Sequence, residues 1–358
     1  MTTTTTRSEP DPAALEAFAG RVIGDLGAAM HLPLVALGDR LGLYRAMAES
    51  GPVTSSELAE RTGCAERYLR EWLAAQAASG YAAYDPDGER FWLTPEQAVA
   101  LADEDGPFFM AGGSLVVTAV SGIVERLEGA FRTGEGVGWH EHHPMLFVGT
   151  ERFFKPGYVG NLVPTWLPAL DDVEDKLRAG GRVADVGCGF GASTILIGAA
   201  FPEADVVGFD YHGPSIEAAR SRATDAGVDS VRFEVATSSD YPGSGYDLIA
   251  FFDCFHDLGD PPAAARHARQ ALADDGTVLL VEPLAGDRLE DNLTPLGRAF
   301  YSASTLVCTP ASLAQDGHVA LGAQAGEYRL RAILNDAGFT RVRRVAETPP
   351  NLVLEARP

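Results

Sequence analysis

The stretch from Arg182 to Thr194, Arg-Val-Ala-Asp-Val-Gly-Cys-Gly-Phe-Gly-Ala-Ser-Thr, constrains this chain more than any other. Apolar residues around Asp185 predict a strand, Gly187, Gly189 and Gly191 predict a tight turn where bare backbone approaches a ligand, and a helix is expected from about Ser193. Strand, glycine turn and helix in that order open a parallel α/β sheet that binds a ligand over the turn. Gly187, Gly189 and Ala192 satisfy the G-x-G-x-x-[G/A] spacing of dinucleotide binding, so NAD, with its pyrophosphate over the helix N-terminus, is one reading. Asp185, two residues before Gly187, opposes a pyrophosphate by like charge and suits a ligand bearing an ammonium. That favours S-adenosylmethionine (SAM), which has an ammonium and a sulfonium and no phosphate.

Asp210 ends the next predicted strand, where an acidic residue accepts hydrogen bonds from ribose hydroxyls of either cofactor. Strands expected at 231–236, 246–253 and 277–283 alternate with helices, and a last helix covers Arg331 to Phe339. Two extended runs, Thr340 to Ala346 and Asn351 to Arg357, are joined by only Glu347-Thr-Pro-Pro and must pair as an antiparallel hairpin rather than through another crossover. With these residues in place, the span from about Ala179 to Pro358 resembles a class I SAM-dependent methyltransferase core. The resemblance makes Asp185, Gly187, Cys188, Gly189 and Gly191 the cofactor loop and Asp210 the ribose acid. It implies a Rossmann-like seven-stranded sheet in which the hairpin adds the antiparallel strand. Over the whole chain the similarity is to actinobacterial methyltransferases and small-molecule O-methyltransferases that place a winged-helix domain before this core.

Residues 54–94 carry that pattern: a capped helix from Ser55 to Gly63, a second from Glu66 to Gly80, and a hairpin around Asp87-Gly88. A DNA reader wants a basic recognition helix. Here Glu66 and Glu71 offset Arg67 and Arg70, and the net charge of −22 repels phosphate, so no nucleic-acid partner is expected. Leu34, Leu41, Leu43, Leu69, Trp72 and Leu73 are spaced to give helices apolar faces for the domain's own core. By resemblance this domain dimerises the enzyme and completes the substrate pocket, so a homodimer is expected. The layout is a disordered tail at 1–11, the winged-helix domain at 12–105, a helical linker and lid at 106–178, and the methyltransferase domain at 179–358. No run approaches the length of a membrane span, and the start, Met-Thr-Thr-Thr-Thr-Thr, lacks the basic and apolar regions of a signal peptide, so the expectation is a cytoplasmic protein with no membrane partner. Cys64, Cys188, Cys254 and Cys308 are widely spaced and read as buried thiols, with no zinc or disulfide framework.

Within the linker, helices are expected over Leu115–Phe131 and Tyr158–Leu170. Between them lies Gly138-Trp-His-Glu-His-His-Pro-Met, whose imidazoles and carboxylate invite a metal reading, but His140 to His143 are too contiguous to converge on one ion, and no metal is expected. Trp139 and His143 are candidates for lining a substrate pocket. The catalytic candidate is His256, in Phe-Asp-Cys-Phe-His-Asp-Leu after the fourth core strand, where the cofactor crevice opens. Methyl transfer is an in-line displacement whose leaving group is already on the cofactor, so the protein has to position the acceptor and, for a hydroxyl, remove a proton. A histidine titrating near neutrality suits that task. His256-Asp257 also resembles the His-Asp-Trp stretch of small-molecule O-methyltransferases, whose histidine is the general base, with Leu258 in place of the tryptophan. The alternative is that His256 merely orders its loop. Tyr211 and Thr237 are expected near the adenine, Asp253 near the methionine end, and Tyr158 near the cofactor carboxylate. Glu282 and Tyr301, the latter on a helix expected from Pro295 to about Val307, are further substrate candidates. The expected activity is SAM-dependent methylation of a small molecule; the alternatives are a SAM-binding transcriptional regulator and an NAD-dependent oxidoreductase.

Overall fold

A computed structural model describes residues 9–358, which fall into two compact units. Residues 1–8 of the expected tail lie outside the described residues. The first unit runs to Glu104 and takes in Phe109–Thr118; the second holds Asp105–Phe108 and Ala119–Pro358.

The first unit opens with the helix Pro12–Arg40, started by Asp11, whose Oδ1 accepts from the Ala13 amide at 3.0 Å. Helices Leu43–Ser50, Ser55–Thr62 and Glu66–Ala78 follow, then the strands β1 (Ala83–Asp85) and β2 (Arg90–Trp92) of the wing and the helix Pro95–Leu101. Thr54 and Glu57 form a reciprocal capping box at the head of Ser55–Thr62, and Gly63, at φ +70°, stops that helix. Leu43, Leu58, Leu69, Trp72 and Leu73 form the core. Leu34 packs against it half-buried, whereas Leu41, expected on an apolar face, is exposed because it caps the long helix from outside its last turn. Arg67 pairs with Glu71 at 2.6 Å and Arg70 with Glu66 at 3.0 Å, so both arginines of the second helix are matched within it. Leu15, Phe18, Val22, Ile23, Leu26 and Met30 of Pro12–Arg40 are exposed. By length and composition this is the one helix among the described residues that could cross a membrane, an exception to the expectation of none, although Glu16, Arg21 and Asp25 interrupt its first turns.

The second unit is built on a seven-stranded sheet of β3 (Arg182–Val186), β4 (Asp205–Asp210), β5 (Val231–Val235), β6 (Tyr246–Phe252), β7 (Leu272–Pro283), β8 (Arg341–Glu347) and β9 (Asn351–Arg357). Its order is β5-β4-β3-β6-β7-β9-β8, and β9 alone runs antiparallel to its neighbours. Alternate residues face opposite layers, and both faces are covered, so the central strands read as near-continuous apolar runs. Ile249, Phe251 and Leu280 pack with Ala264, Ala268, Leu330 and Leu334 on one side. Leu248, Ala250 and Leu279 pack with Ile197, Leu162, Trp166 and Leu167 on the other.

Several elements outside the sheet depart from expectation. Leu115–Phe131 is not one helix but Gly113–Val120 and Val124–Thr133, separated by a 3-10 turn at Ser121–Ile123, where Ser-Gly weakens the helix. The second linker helix is Met145–Asn161, which then loosens into a π turn at Leu162–Trp166 and a 3-10 turn at Leu167–Ala169, each holding a proline. The helix from Pro295 ends at Ala303 and continues as a π turn, Ser304–Cys308, and the helix Thr309–Leu313. β7 begins at Leu272, before the expected 277, because Leu272 pairs with Tyr246 ahead of an irregularity in the ladder. All four cysteines are free; Cys188 and Cys308 are buried, but Cys64 and Cys254 only half so.

Candidate cofactor and acceptor site

Where the strand order reverses between β3 and β6, the second unit has a cleft of about 970 Å³, counting the part open to solvent. The turn after β3 forms one wall, with Gly187, Gly189 and Gly191 at φ +76°, +53° and +82°, a region that disfavours side chains. A Cβ on Gly187 would come within 2.6 Å of Cys254 Sγ, and one on Gly191 within 2.7 Å of Phe233. At Gly189 it would meet nothing within 4 Å. Gly189 lines the cleft, so its missing side chain leaves open space there, whereas Gly191 packs against the fold.

Asp185 is fully buried and behind the cleft wall rather than on it. Its Oδ2 accepts from Ser193 Oγ and Thr194 Oγ1, both at 2.6 Å, while Oδ1 has no hydrogen-bond partner. Burial pushes its carboxyl up to about 6, against the pull of the two hydroxyls. Asp210 does line the cleft, accepting from the Gly189 amide at 2.9 Å through Oδ2 and from the His212 amide at 2.8 Å through Oδ1. Each oxygen keeps a second lone pair for a ligand. Burial raises this carboxyl too, with the amide bonds opposing. Cys188 and Tyr211 lie on the same wall, and burial pushes the Cys188 thiol well above its ordinary value, so it is no thiolate.

Asp253, at the end of β6, adopts φ +50°, a strained conformation for aspartate, held by its amide donating to Val281 O at 2.8 Å. Tyr158 OH donates to its Oδ2 at 3.0 Å and Asn351 Nδ2 to its Oδ1 at 2.7 Å. Burial and the charge of Glu282 push its carboxyl up to about 8. Asp253 and Tyr158 both line the cleft; Thr237 does not, being exposed beyond β5.

His256 sits in the 3-10 turn Phe255–Asp257 with its side chain 4% exposed, and it does not reach the cleft wall. Nδ1 is 2.7 Å from Glu282 Oε2, and Nε2 is 3.2 Å from Asp257 Oδ1. Burial works against the ring's charge, but Glu282 and Asp257 outweigh it and raise its pKa well above the ordinary value. Glu282 is buried behind the cleft, with Oε1 accepting from the Phe255 amide at 3.0 Å, and so orients the histidine rather than facing a ligand. Trp139 lines the cleft. His143 is exposed and off it, accepting from the Met145 amide at 3.1 Å, and Tyr301 is also off it, near Asn292. The 140–143 cluster does not converge: Glu141 caps Gly138 and pairs with Arg126, while His142 is buried. Among the described residues, the side chains of metal-binding type that do approach one another are His256, Asp257 and Cys308.

Other wall residues were not among the expected site residues: Phe147, Thr150, Glu151 and Phe154 from the helix Met145–Asn161, and Ala311 and Gln315; Asp257 and Leu258, expected only beside His256, line it as well. Phe147, Glu151, Phe154 and Tyr158 lie at steps of four and three, the spacing of one helix face, and this was the signal available in the sequence. Trp139 and Phe147 meet at 5.1 Å between ring centroids, and Phe154 stacks parallel to Tyr158 at 6.3 Å.

Residues 160–342, more than half of the chain, match the methyltransferase domain family, and residues 28–103 match the Rv2258c-like winged HTH domain. The chain belongs to the methyltransferase domain family. It is 35% identical over 138 residues to phosphoethanolamine N-methyltransferase 3 of Arabidopsis thaliana, covering 37% of this chain and 27% of that one. The chain thus spans about a quarter of that curated relative. Human N-acetylserotonin methyltransferase, solved with SAM, superposes with a TM-score of 0.69 at 17% identity over 98% of this chain and 99% of its own. An O-methyltransferase family protein of Burkholderia thailandensis does so with a TM-score of 0.66 at 17% identity, over 98% and 99%. At such identities the likeness establishes the methyltransferase fold, from winged helix to closing hairpin. Neither an NAD oxidoreductase nor a transcriptional regulator gains support from these matches.

Proposed function

We propose that this methyltransferase transfers the methyl group of SAM to a hydroxyl of a small, largely apolar molecule. The observation that carries the reading is one cleft that joins the glycine turn and Asp210 to the aromatic wall of Trp139, Phe147 and Phe154. The residues fit SAM. Gly189 leaves room for the cofactor, Asp210 has lone pairs for ribose hydroxyls, and buried Asp185 with its unpartnered Oδ1 places a carboxyl group just behind the wall, which suits a positively charged ligand. Tyr158 and Asp253 bound the same space, with Tyr211 beside the ribose acid. When bound, SAM supplies a methyl group activated on its sulfonium.

The chain's own work is to position the acceptor and to take its proton. In our reading the aromatic wall holds the acceptor body, and its hydroxyl replaces Asp257 Oδ1 at His256 Nε2, which receives the proton. Glu282, at Nδ1, fixes the ring and stabilises the imidazolium so formed. For the winged-helix unit we propose a dimerisation role in a cytoplasmic homodimer with no nucleic-acid partner, supported by the exposed apolar residues of Pro12–Arg40 and by the pairing of Arg67 and Arg70 with glutamates.

Calorimetry with SAM, its demethylated product and NAD tests the cofactor: both sulfur compounds should bind and NAD should not. Methylated product detected by mass spectrometry after incubation with candidate phenols and alcohols tests the reaction. Tight NAD binding, or a transferred methyl found only on nitrogen or carbon, would defeat the reading.

A further inference from the structure

The ionisable side chains in the cleft's wall are all acids, of which Asp253, pushed up to about 8, keeps its proton at pH 7. Glu151, Asp210, Asp253 and Asp257 line it, and among the described residues no lysine, arginine or histidine does. The cations nearby are already engaged: Arg222 Nε donates to Glu151 Oε1 at 2.6 Å with its guanidinium 4.3 Å from the Phe190 ring centroid, and His256 is one cation shared between Glu282 and Asp257. Behind the glycine turn, fully buried Asp185 adds a carboxylate oxygen with no donor at all.

We propose that this cleft selects its acceptor by charge, taking planar aromatic molecules that are uncharged or carry a protonated amine and rejecting those that carry a carboxylate or phosphate. This rests on the methyl-transfer reading above. An anionic acceptor would leave water for a half-buried space whose wall offers no basic side chain, while Arg222 and His256 behind that wall are already held by Glu151, Glu282 and Asp257. A bound SAM, with one net positive charge, reduces this excess without reversing it. Glu151 sets the selectivity, because it holds the guanidinium of Arg222, which lies over the wall residue Phe190.

The test uses three 2-naphthols identical except at one remote carbon, which bears a hydroxymethyl, an aminomethyl or a carboxylate group. Their binding to the full-length protein saturated with demethylated cofactor is measured by calorimetry, and methylation in the presence of SAM by mass spectrometry. The neutral and cationic compounds should bind at least about tenfold more tightly than the carboxylate. In Glu151→Gln, which frees Arg222, that gap should narrow severalfold. A carboxylate that binds as well as its neutral twin would overturn the proposal, as would a gap that widens in Glu151→Gln. Failure of all three to bind would overturn the aromatic acceptor class. If the ranking holds and no product forms, the methyl-transfer reading fails while the charge selection stands; if the carboxylate is methylated without any ranking, the reverse is true.

Discussion

Asp185 and His256 are both buried and titratable, and their environments push them to opposite tasks. Asp185, raised to about 6 by burial, ionises more readily when a positively charged ligand occupies the cleft in front of it, so SAM affinity should climb as pH rises through that value. In the free protein the sign is reversed: a folded value above the ordinary 3.8 means that Asp185 costs stability progressively as pH rises from there through about 6. Asp185→Asn should flatten the pH dependence of SAM binding and weaken it about tenfold, measured by calorimetry across pH 5 to 8. His256, raised well above 6.5, holds its proton at neutrality, so its base form accrues only as pH climbs through the raised value. Turnover should therefore increase into the alkaline range. Glu282→Gln removes the stronger anionic partner and should move that limb to lower pH, even if the rate at its plateau drops. His256→Gln should lower turnover by a factor of about 10² to 10⁴ while leaving SAM affinity intact. A variant that turns over like the parent would reduce His256 to a strut between two carboxylates.

The glycine turn after β3 contains three residues of the same conformation with different duties, and substitution separates them. Gly191→Ala drives a Cβ within 2.7 Å of Phe233 at φ +82°, and should cost about 2–4 kcal/mol of stability, read from denaturant unfolding. Gly189→Ala, at φ +53° with open space around its Cβ, should cost only about 1 kcal/mol yet weaken SAM binding tenfold or more. Equal losses of stability in the two would contradict the cradle assigned to Gly189. This turn, the sheet and the hairpin were legible in the sequence because each has a local signal: glycines at a turn, short near-continuous apolar runs and a loop too short for a crossover. The helix Met145–Asn161 was not, since Gly149, Pro156, Gly157 and Gly160 read as breakers and hid the face of Phe147, Glu151, Phe154 and Tyr158. Its burial against the unit's core outweighs those propensities. Nor could any pattern announce Asn351 and Asp253, 98 residues apart, as hydrogen-bonding partners. Thr237 was placed by its rank in the fold, and position beyond a strand end does not determine which way a loop turns a side chain; Tyr301 was placed by its polarity on an otherwise apolar helix, which does not say what that face meets.

For the molecule as a whole, the exposed apolar residues of Pro12–Arg40 predict a dimer at micromolar concentration by light scattering. Phe18→Glu should shift it to monomer without unfolding either unit, and a parent protein that is already monomeric would remove the proposed role. The sheet carries a further consequence. β9 is the last of its strands in chain order, yet it lies inside, between β7 and β8, with every one of its residues buried. β8 therefore precedes in the chain the neighbour that must join it to the sheet, and the long-range pairing of β7 with β9 has to form before β8 has a place. Asn351, the first residue of β9, then fastens the strained Asp253 at the cleft. Without β9 the sheet would expose an apolar edge and Asp253 would lose its Asn351 partner, so closing the sheet and completing the cleft are one step of assembly.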